Sequence, residues 1–303
     1  MAIITWIGTT GDFNTGANWS GGSAPTTGDT IILNGTSNVA LTSNLNQSAS
    51  TGVTLIITHA SSAQIGTDVD GVATYLQIGA SNVIIGRSDG GTGNGSQLIL
   101  LDLGSTASAV NILQSSSTSA NQKYPPIGIK GTAVTLTPSG GTTGVAVRPG
   151  ETATLAALKT TRGGNSTPTI YLGSGVTPTA ISVDAGTVNS LSDNTCASAR
   201  VSGGTYNVSG TGAHTLLNVD DGTCNYTGVG TITAANIRGS LLMGADARAK
   251  TITDATIYKN ATLDIDNGVP GSITFTNPIQ YPDGIGAVTI RTPAGVKGTL
   301  AAI

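Results

Sequence analysis

The sequence predicts an all-β protein: a parallel β-helix (β-solenoid) with an aromatic N-terminal cap and room for an inserted β-sandwich-like region. Three observations carry that prediction. Between residues 181 and 242 the chain repeats in steps of 18, so that Gly186-Thr187-Val188-Asn189, Gly204-Thr205-Tyr206-Asn207 and Gly222-Thr223-Cys224-Asn225 superpose. Within each unit apolar and polar residues alternate, which is the period of a strand and not of a helix. The composition agrees, with 43 glycines, abundant Thr, Ser and Asn, and only 10% charged residues, against about 25% in ordinary soluble domains.

The repeat sorts its residues into columns. Ile181, Ala199 and Leu217 make one apolar column, Val183, Val201, Val219 and Ile237 a second, and Val188, Tyr206, Cys224 and Leu242 a third, mostly apolar one. A unit this small cannot bury its own apolar face, so successive units must cover one another. Stacked parallel strands lie about 4.8 Å apart, which places equivalent residues directly above each other. Gly186, Gly204 and Gly222 are expected at bends, where glycine carries no side-chain penalty. Asn189, Asn207 and Asn225 are positioned to stack their amides, and Thr187, Thr205 and Thr223 suit an exposed strand face.

Taken in order, residues 1–35 form an N-terminal capping module. Trp6, Phe13 and Trp19 are three of the four Phe and Trp residues in the chain, and large aromatics can plug the open end of stacked strands. Residues 36–124 read as irregular coils, with strands expected at Val53–Thr58, Tyr75–Ile78, Val83–Ile85, Gln97–Leu101 and Val110–Leu113. The polar stretch ending at Pro125-Pro126 marks a boundary. Residues 125–180 are either further irregular β structure or a small inserted β domain, with strands near Ile127–Ile129, Val134–Thr137, Val145–Val147, Thr154–Leu158 and Thr169–Leu172 and loop signals at Ser139-Gly140-Gly141 and Pro149-Gly150. Residues 181–277 are regular coils whose step lengthens from 18 to about 20 after Leu242, carrying Ile237 onto Ile257. Residues 278–303, with Pro278, Pro282, Pro293 and several glycines, are a C-terminal cap or an arm toward another subunit.

The opening module carries a resemblance. Trp6-Ile7-Gly8, Asp12-Phe13-Asn14-Thr15, Ala17-Asn18-Trp19-Ser20 and Pro25 followed by Gly28-Asp29-Thr30 resemble the segment that precedes β-helical passenger regions in bacterial surface proteins and in some phage structural proteins. The resemblance covers residues 5–33 and implies a capped stack of strands displayed on a surface; it names no enzyme. Met1-Ala2-Ile3-Ile4-Thr5-Trp6 has neither the charged region nor the apolar core of a secretory signal, which favours the phage side.

Candidate chemistry is sparse. Asp220 and Asp221 are adjacent, and Asp184 falls two coils below Asp220, about 9.6 Å by the stacking distance, which an inverting glycosidase pair tolerates. The same aspartates before Gly222 suit a turn in which they cap backbone amides. Asp264 and Asp266 share a strand face that could hold a cation, although Asp266-Asn267-Gly268 is also an ordinary turn and lacks the spacing of an EF-hand loop. His59 and His214 stand apart without partners at metal-ligand spacing. Cys196 and Cys224, 28 residues apart, give no disulfide framework and read as small buried residues. Tyr206 and Tyr226 form no evident sugar-stacking platform. The glycine-rich loop Ser88–Gly95 lacks the Gly-Lys-Ser/Thr ending of a phosphate-binding loop.

With net charge -3 and basic residues spread singly, nucleic acid is not expected as a partner, nor is a membrane, since no run of 18 apolar residues exists. No catalytic residue, metal or cofactor is expected. The function expected is a non-enzymatic structural protein of a tailed-phage virion, decorating or stabilising a capsid or contributing to a fibre. It would be assembled in the host cytoplasm as a homotrimer against capsid or other virion proteins. Two alternatives are a tailspike or receptor-binding protein that binds or hydrolyses cell-surface carbohydrate and a bacterial surface adhesin.

Overall fold

The computed structural model describes residues 1–58, 60–86, 98–113, 123–163, 167–244, 248–265, 273–284 and 288–292. The chain divides into two compact units, one comprising Met1–Ala156 with Thr161–Gly173 and the other Ala157–Thr160 with Ser174–Ile303. Among the described residues the only helix is a single 3-10 turn, Gly16–Asn18.

The first unit contains β1 (Ile3–Thr5), β2 (Thr30–Leu33), β3 (Asn46–Ile57), β4 (Thr67–Val69), β5 (Val72–Thr74), β6 (Leu76–Ile85), β7 (Ile99–Asp102), β8 (Ser108–Ile112), β9 (Ile127–Pro138), β10 (Thr142–Val145), the start of β11 (Ala153–Thr160) and β12 (Thr169–Leu172). β1, β2, β3 and β6 pair in parallel succession. β4 and β5 pair antiparallel, as a hairpin closed by Asp70 (φ 52°) and Gly71 (φ 87°). Consecutive positive φ values are what a tight hairpin turn requires, and Asp and Gly supply them at least cost.

The predicted open β-helix is corrected at the centre of this unit. The residues expected to make separate strands at 75–78 and 83–85 belong to one strand, β6, and those expected at 127–129 and 134–137 belong to β9. Leu76 and Gln77 pair with β7, while Asn82 to Ile85 pair with β8. Likewise Ile127 to Lys130 pair with β7, and Val134 to Pro138 with β8. The four strands β6, β7, β9 and β8 therefore close a parallel barrel, from which the remaining ladders of this unit extend as an outer sheet. The physical reason is that β9 bends without breaking. Gly131 sits at φ 148° and Ala133 at φ 97°, a region that glycine enters freely and alanine only under strain. A Cβ on Gly131 would also stand 3.2 Å from the Gly104 carbonyl oxygen.

Residues 125–180 correct a second expectation, the sandwich-like insertion. β9 pairs with β10 and β10 with β12, all in parallel, so the described part of this region makes no antiparallel hairpins. β10 ends at Val145, two residues short of the predicted strand, because Ala146 takes φ 44° and turns the chain.

The aromatic residues of the opening segment are all buried, and Trp19 meets both Trp6 and Phe13 edge-on at ring separations of 4.8 and 5.0 Å. Each indole nitrogen is satisfied, Trp6 by the Val39 carbonyl at 3.1 Å and Trp19 by the Phe13 carbonyl at 2.7 Å. Buried Asn18 holds the intervening loop through Thr9, Thr10 and the Asp12 carbonyl. At the end of β1 the Thr5 backbone facing away from β2 is engaged by Ser20, whose amide donates to the Thr5 carbonyl and whose hydroxyl accepts from the Thr5 amide.

The second unit contains the end of β11, β13 (Val176–Pro178), β14 (Ala180–Val183), β15 (Thr187–Ser190), β16 (Cys196–Val201), β17 (Thr205–Val208), β18 (His214–Val219), β19 (Thr223–Tyr226), β20 (Ile232–Ile237), β21 (Ser240–Met243), β22 (Lys250–Ile257), β23 (Thr262–Asp264), β24 (Ile273–Phe275) and β25 (Thr289–Arg291). Here the sequence period sets the register. β14, β16, β18, β20 and β22 form one parallel ladder in which Val183, Val201, Val219, Ile237 and Ile257 face one another in turn, all buried. β15, β17, β19, β21, β23 and β25 form the other ladder, with Thr187, Thr205, Thr223, Ser240, Thr262 and Thr289 in one line.

One column shifts. Leu241, not Leu242, faces Cys224, and Leu242 instead faces Asn225, so this step is one residue shorter than the repeat. Glycine governs the corner: a Cβ on Gly222, at φ 125°, would lie 2.6 Å from the Gly204 carbonyl oxygen. The amides of Asn189, Asn207 and Asn225 form a ladder with bonds of 2.8 and 2.7 Å, and Asn236 repeats the arrangement onto Asn218 at 2.9 Å.

Candidate functional site

The aspartates singled out from the repeat are engaged in lateral contacts along the second unit. Asp184 follows Val183, Ser202 follows Val201 and Asp220 follows Val219, so a serine separates the two carboxylates. Asp184 accepts from Ser202 at 2.6 Å and Ser182 at 2.8 Å and pairs with Lys159 at 3.6 Å. Partial burial works to raise its pKa, but the two serines and Lys159 outweigh it and hold the carboxyl below the usual carboxylate range. Asp220 sits between Arg200 at 2.6 Å and Arg238 at 3.2 Å, and Arg238 lies 3.7 Å from the centre of the Tyr258 ring. Asp221 is exposed beside Gly222. Inversion at a sugar requires one carboxyl kept protonated, and the contacts of Asp184 favour its ionised form.

Asp264 is ion-paired with Arg291 at 3.2 Å, while Asp266 and His59 lie outside the described residues, as does the loop Ser88–Gly95. Among the described residues no three His, Cys, Asp or Glu side chains stand close enough to hold a metal ion. His214, buried, faces Cys196 across the ladder and pairs with the Tyr206 hydroxyl at 3.0 Å. Its ring is edge-on to both Tyr206 and Tyr226. Burial pushes the pKa of His214 down to about 4, opposed only by the Gly212 carbonyl. That carbonyl favours a protonated ring without completing a hydrogen bond to Nδ1, which has no hydrogen-bond partner among the described residues. Burial also pushes the Cys196 and Cys224 thiols up to about 11 and about 12, leaving them poor nucleophiles at neutral pH.

A second cluster, which the sequence reading missed, lies in the first unit. Arg148 is buried and donates to Asp68 from Nε at 3.1 Å and from Nη2 at 2.5 Å. Its Nη1 donates to the Tyr75 hydroxyl at 2.8 Å, and that hydroxyl donates to Glu151 Oε1 at 2.5 Å. The turn through Pro149 and Gly150 (φ 76°) folds Glu151 back to accept the Arg148 amide at 3.1 Å. Burial, then the hydrogen bond to Glu151, push the Tyr75 phenol well above its ordinary pKa, while Arg148 opposes them. For Arg148 burial favours loss of the proton, and Asp68 leads the contacts that outweigh it and keep the guanidinium charged.

Local sequence makes room for this network. Gly128 on β9 carries no side chain where one would meet Leu100 Cδ2 at 2.7 Å and Arg148 Nη1 at 3.1 Å. Lys130, two residues on, stands 4.4 Å from the Tyr75 ring centre and 3.4 Å from Asp102. Charged groups are thus linked through Tyr75 in a chain that is otherwise poor in charge.

Beside the network opens a cleft of about 560 Å³ lined by Gln64, Asp68, Asp70, Gly71, Leu98, Lys123 and Tyr124. The Arg148 guanidinium lies 4.8 Å from the Tyr124 ring centre. A smaller cleft of about 360 Å³ includes Asp102, Lys130 and Glu151. The sequence held one signal for this region: Glu151 is the only glutamate in the chain, and it follows a Pro-Gly turn. The chain matches no family model, no curated protein and no solved structure.

Proposed function

We propose that the protein is a non-enzymatic structural component of a tailed-phage virion, acting by packing against copies of itself and neighbouring virion proteins. The observation that carries this reading is the state of the repeat's carboxylates: Asp184 and Asp220 are tied into serine, lysine and arginine contacts that brace adjacent strands. Registered Thr and Asn lines give the second unit a polar face with little charge, which suits lateral packing better than solvation by repulsion. The resemblance of residues 5–33 to the opening segment of displayed structural proteins supports the virion setting.

Light scattering on the purified chain, followed by electron microscopy of the intact particle, tests this. A trimer of the 29.9 kDa chain seated on a capsid or fibre is expected. A monomer that shortens surface polysaccharide would overturn the proposal in favour of a spike.

A further inference from the structure

The cleft beside Arg148 holds two opposite charges that do not neutralise each other. Asp70 and Lys123 both line it, yet no ion pair joins them, and the Asp70 carboxylate has no hydrogen-bond or ion-pair partner among the described residues. The other carboxylate, Asp68, is already matched by Arg148. Asp70 is fixed at the hairpin turn by its own positive φ and that of Gly71. The Gln64 amide nitrogen donates to the Gly66 carbonyl at 2.7 Å, which leaves its side-chain oxygen as an acceptor. Leu98 and Tyr124 supply apolar surface, and Tyr124 is steadied between Arg148 and Gly71, where a Cβ would meet the ring at 3.4 Å.

We propose that this cleft binds a zwitterion of the α-amino acid or short-peptide class. The ligand's ammonium is received by Asp70 and the Gln64 oxygen, its carboxylate by Lys123, and its side chain by Leu98 and Tyr124. The volume lies within the range of small-molecule sites, roughly 300 to 1,000 Å³. A ligand with both charges is selected because it gains two ion contacts, to Asp70 and to Lys123, which stands 5.4 Å from the Tyr124 ring centre, whereas a singly charged one gains one and an uncharged one none. This site is independent of the virion reading and survives its failure.

Calorimetric titration of the full chain with phenylalanine and with the dipeptide Gly-Phe, against N-acetylphenylalanine and phenylalanine amide, tests it. Binding of the two zwitterions with Kd on the order of 1 mM is expected. The blocked compounds and the Asp70→Asn and Lys123→Met variants should each bind at least about tenfold more weakly, a loss of one ion contact's size. Thermal unfolding of both variants should match the parent, since Asp70 and Lys123 are exposed. No binding of either zwitterion at tens of millimolar, or equal binding of the blocked compounds or to the variants, would overturn the proposal. So would a response to glucose alone.

Discussion

Arg148 reaches 80 positions back along the chain to place both Nε and Nη2 on one oxygen of Asp68. The pair ties the β4–β5 hairpin to the turn after β10. Removing one member strands the other: Asp68→Ala leaves a buried guanidinium without its carboxylate and should cost about 3 kcal/mol. Urea unfolding followed by tryptophan fluorescence checks this, because Trp6 and Trp19 both lie in the first unit. The paired replacement Asp68→Leu with Arg148→Met should recover most of the loss, since apolar groups need no partner.

Acid should weaken the second unit through His214. Its folded pKa of about 4 lies below the ordinary histidine value of 6.5, so between those values the unfolded chain binds more protons. Stability is fully present above the unfolded value, falls as pH drops through the window, and levels off below the folded value. The full loss is about 3 kcal/mol. Hydrogen exchange of β16 to β20 from pH 7 to 4 measures it. His214→Leu should start lower, having orphaned the Tyr206 hydroxyl, but lose the slope; an unchanged slope would refute the assignment.

The bend in β9 stores strain at Ala133. Ala133→Gly relieves a φ of 97° and should raise stability by about 1 kcal/mol. Gly131→Ala should lower it by at least that much, since its Cβ crowds the Gly104 carbonyl. Urea midpoints of the two variants should move in opposite directions.

Interior and exterior columns of the repeat should differ in weight. Val201→Ala removes two methyl groups from a fully buried line and should cost about 2 kcal/mol. Asn207→Ala breaks two half-exposed amide bonds and should cost about 1 kcal/mol. Chemical unfolding read by near-ultraviolet dichroism of Tyr206 and Tyr226 ranks them; the reverse order would mean that the amide ladder, and not the valine line, holds the strands in place.

Much of the second unit was legible because its register is local arithmetic: Val183, Val201 and Val219 recur at a fixed step, and parallel pairing turns that step into contact. The one-residue slip at Leu241 escaped, since a shortened corner leaves no mark on the polar-apolar alternation beyond it. The closed barrel was illegible for a different reason. β6 and β9 each read as two short strands, and only backbone angles at Gly131 and Ala133 reveal that β9 continues through its interruption. The Asp68, Tyr75, Arg148 and Glu151 network includes bonded partners as far as 80 positions apart, with no common period. No window of sequence contains it.

Ser20 has a consequence beyond the strand it touches. An unpaired outer strand invites another chain to add to it, and repeated addition has no natural stopping point. By occupying the Thr5 amide and carbonyl together, one small side chain and its own backbone make that border inhospitable to a newcomer. A strand arriving at Thr5 would first have to displace Ser20, so the outward backbone there is no ready template for extending the sheet.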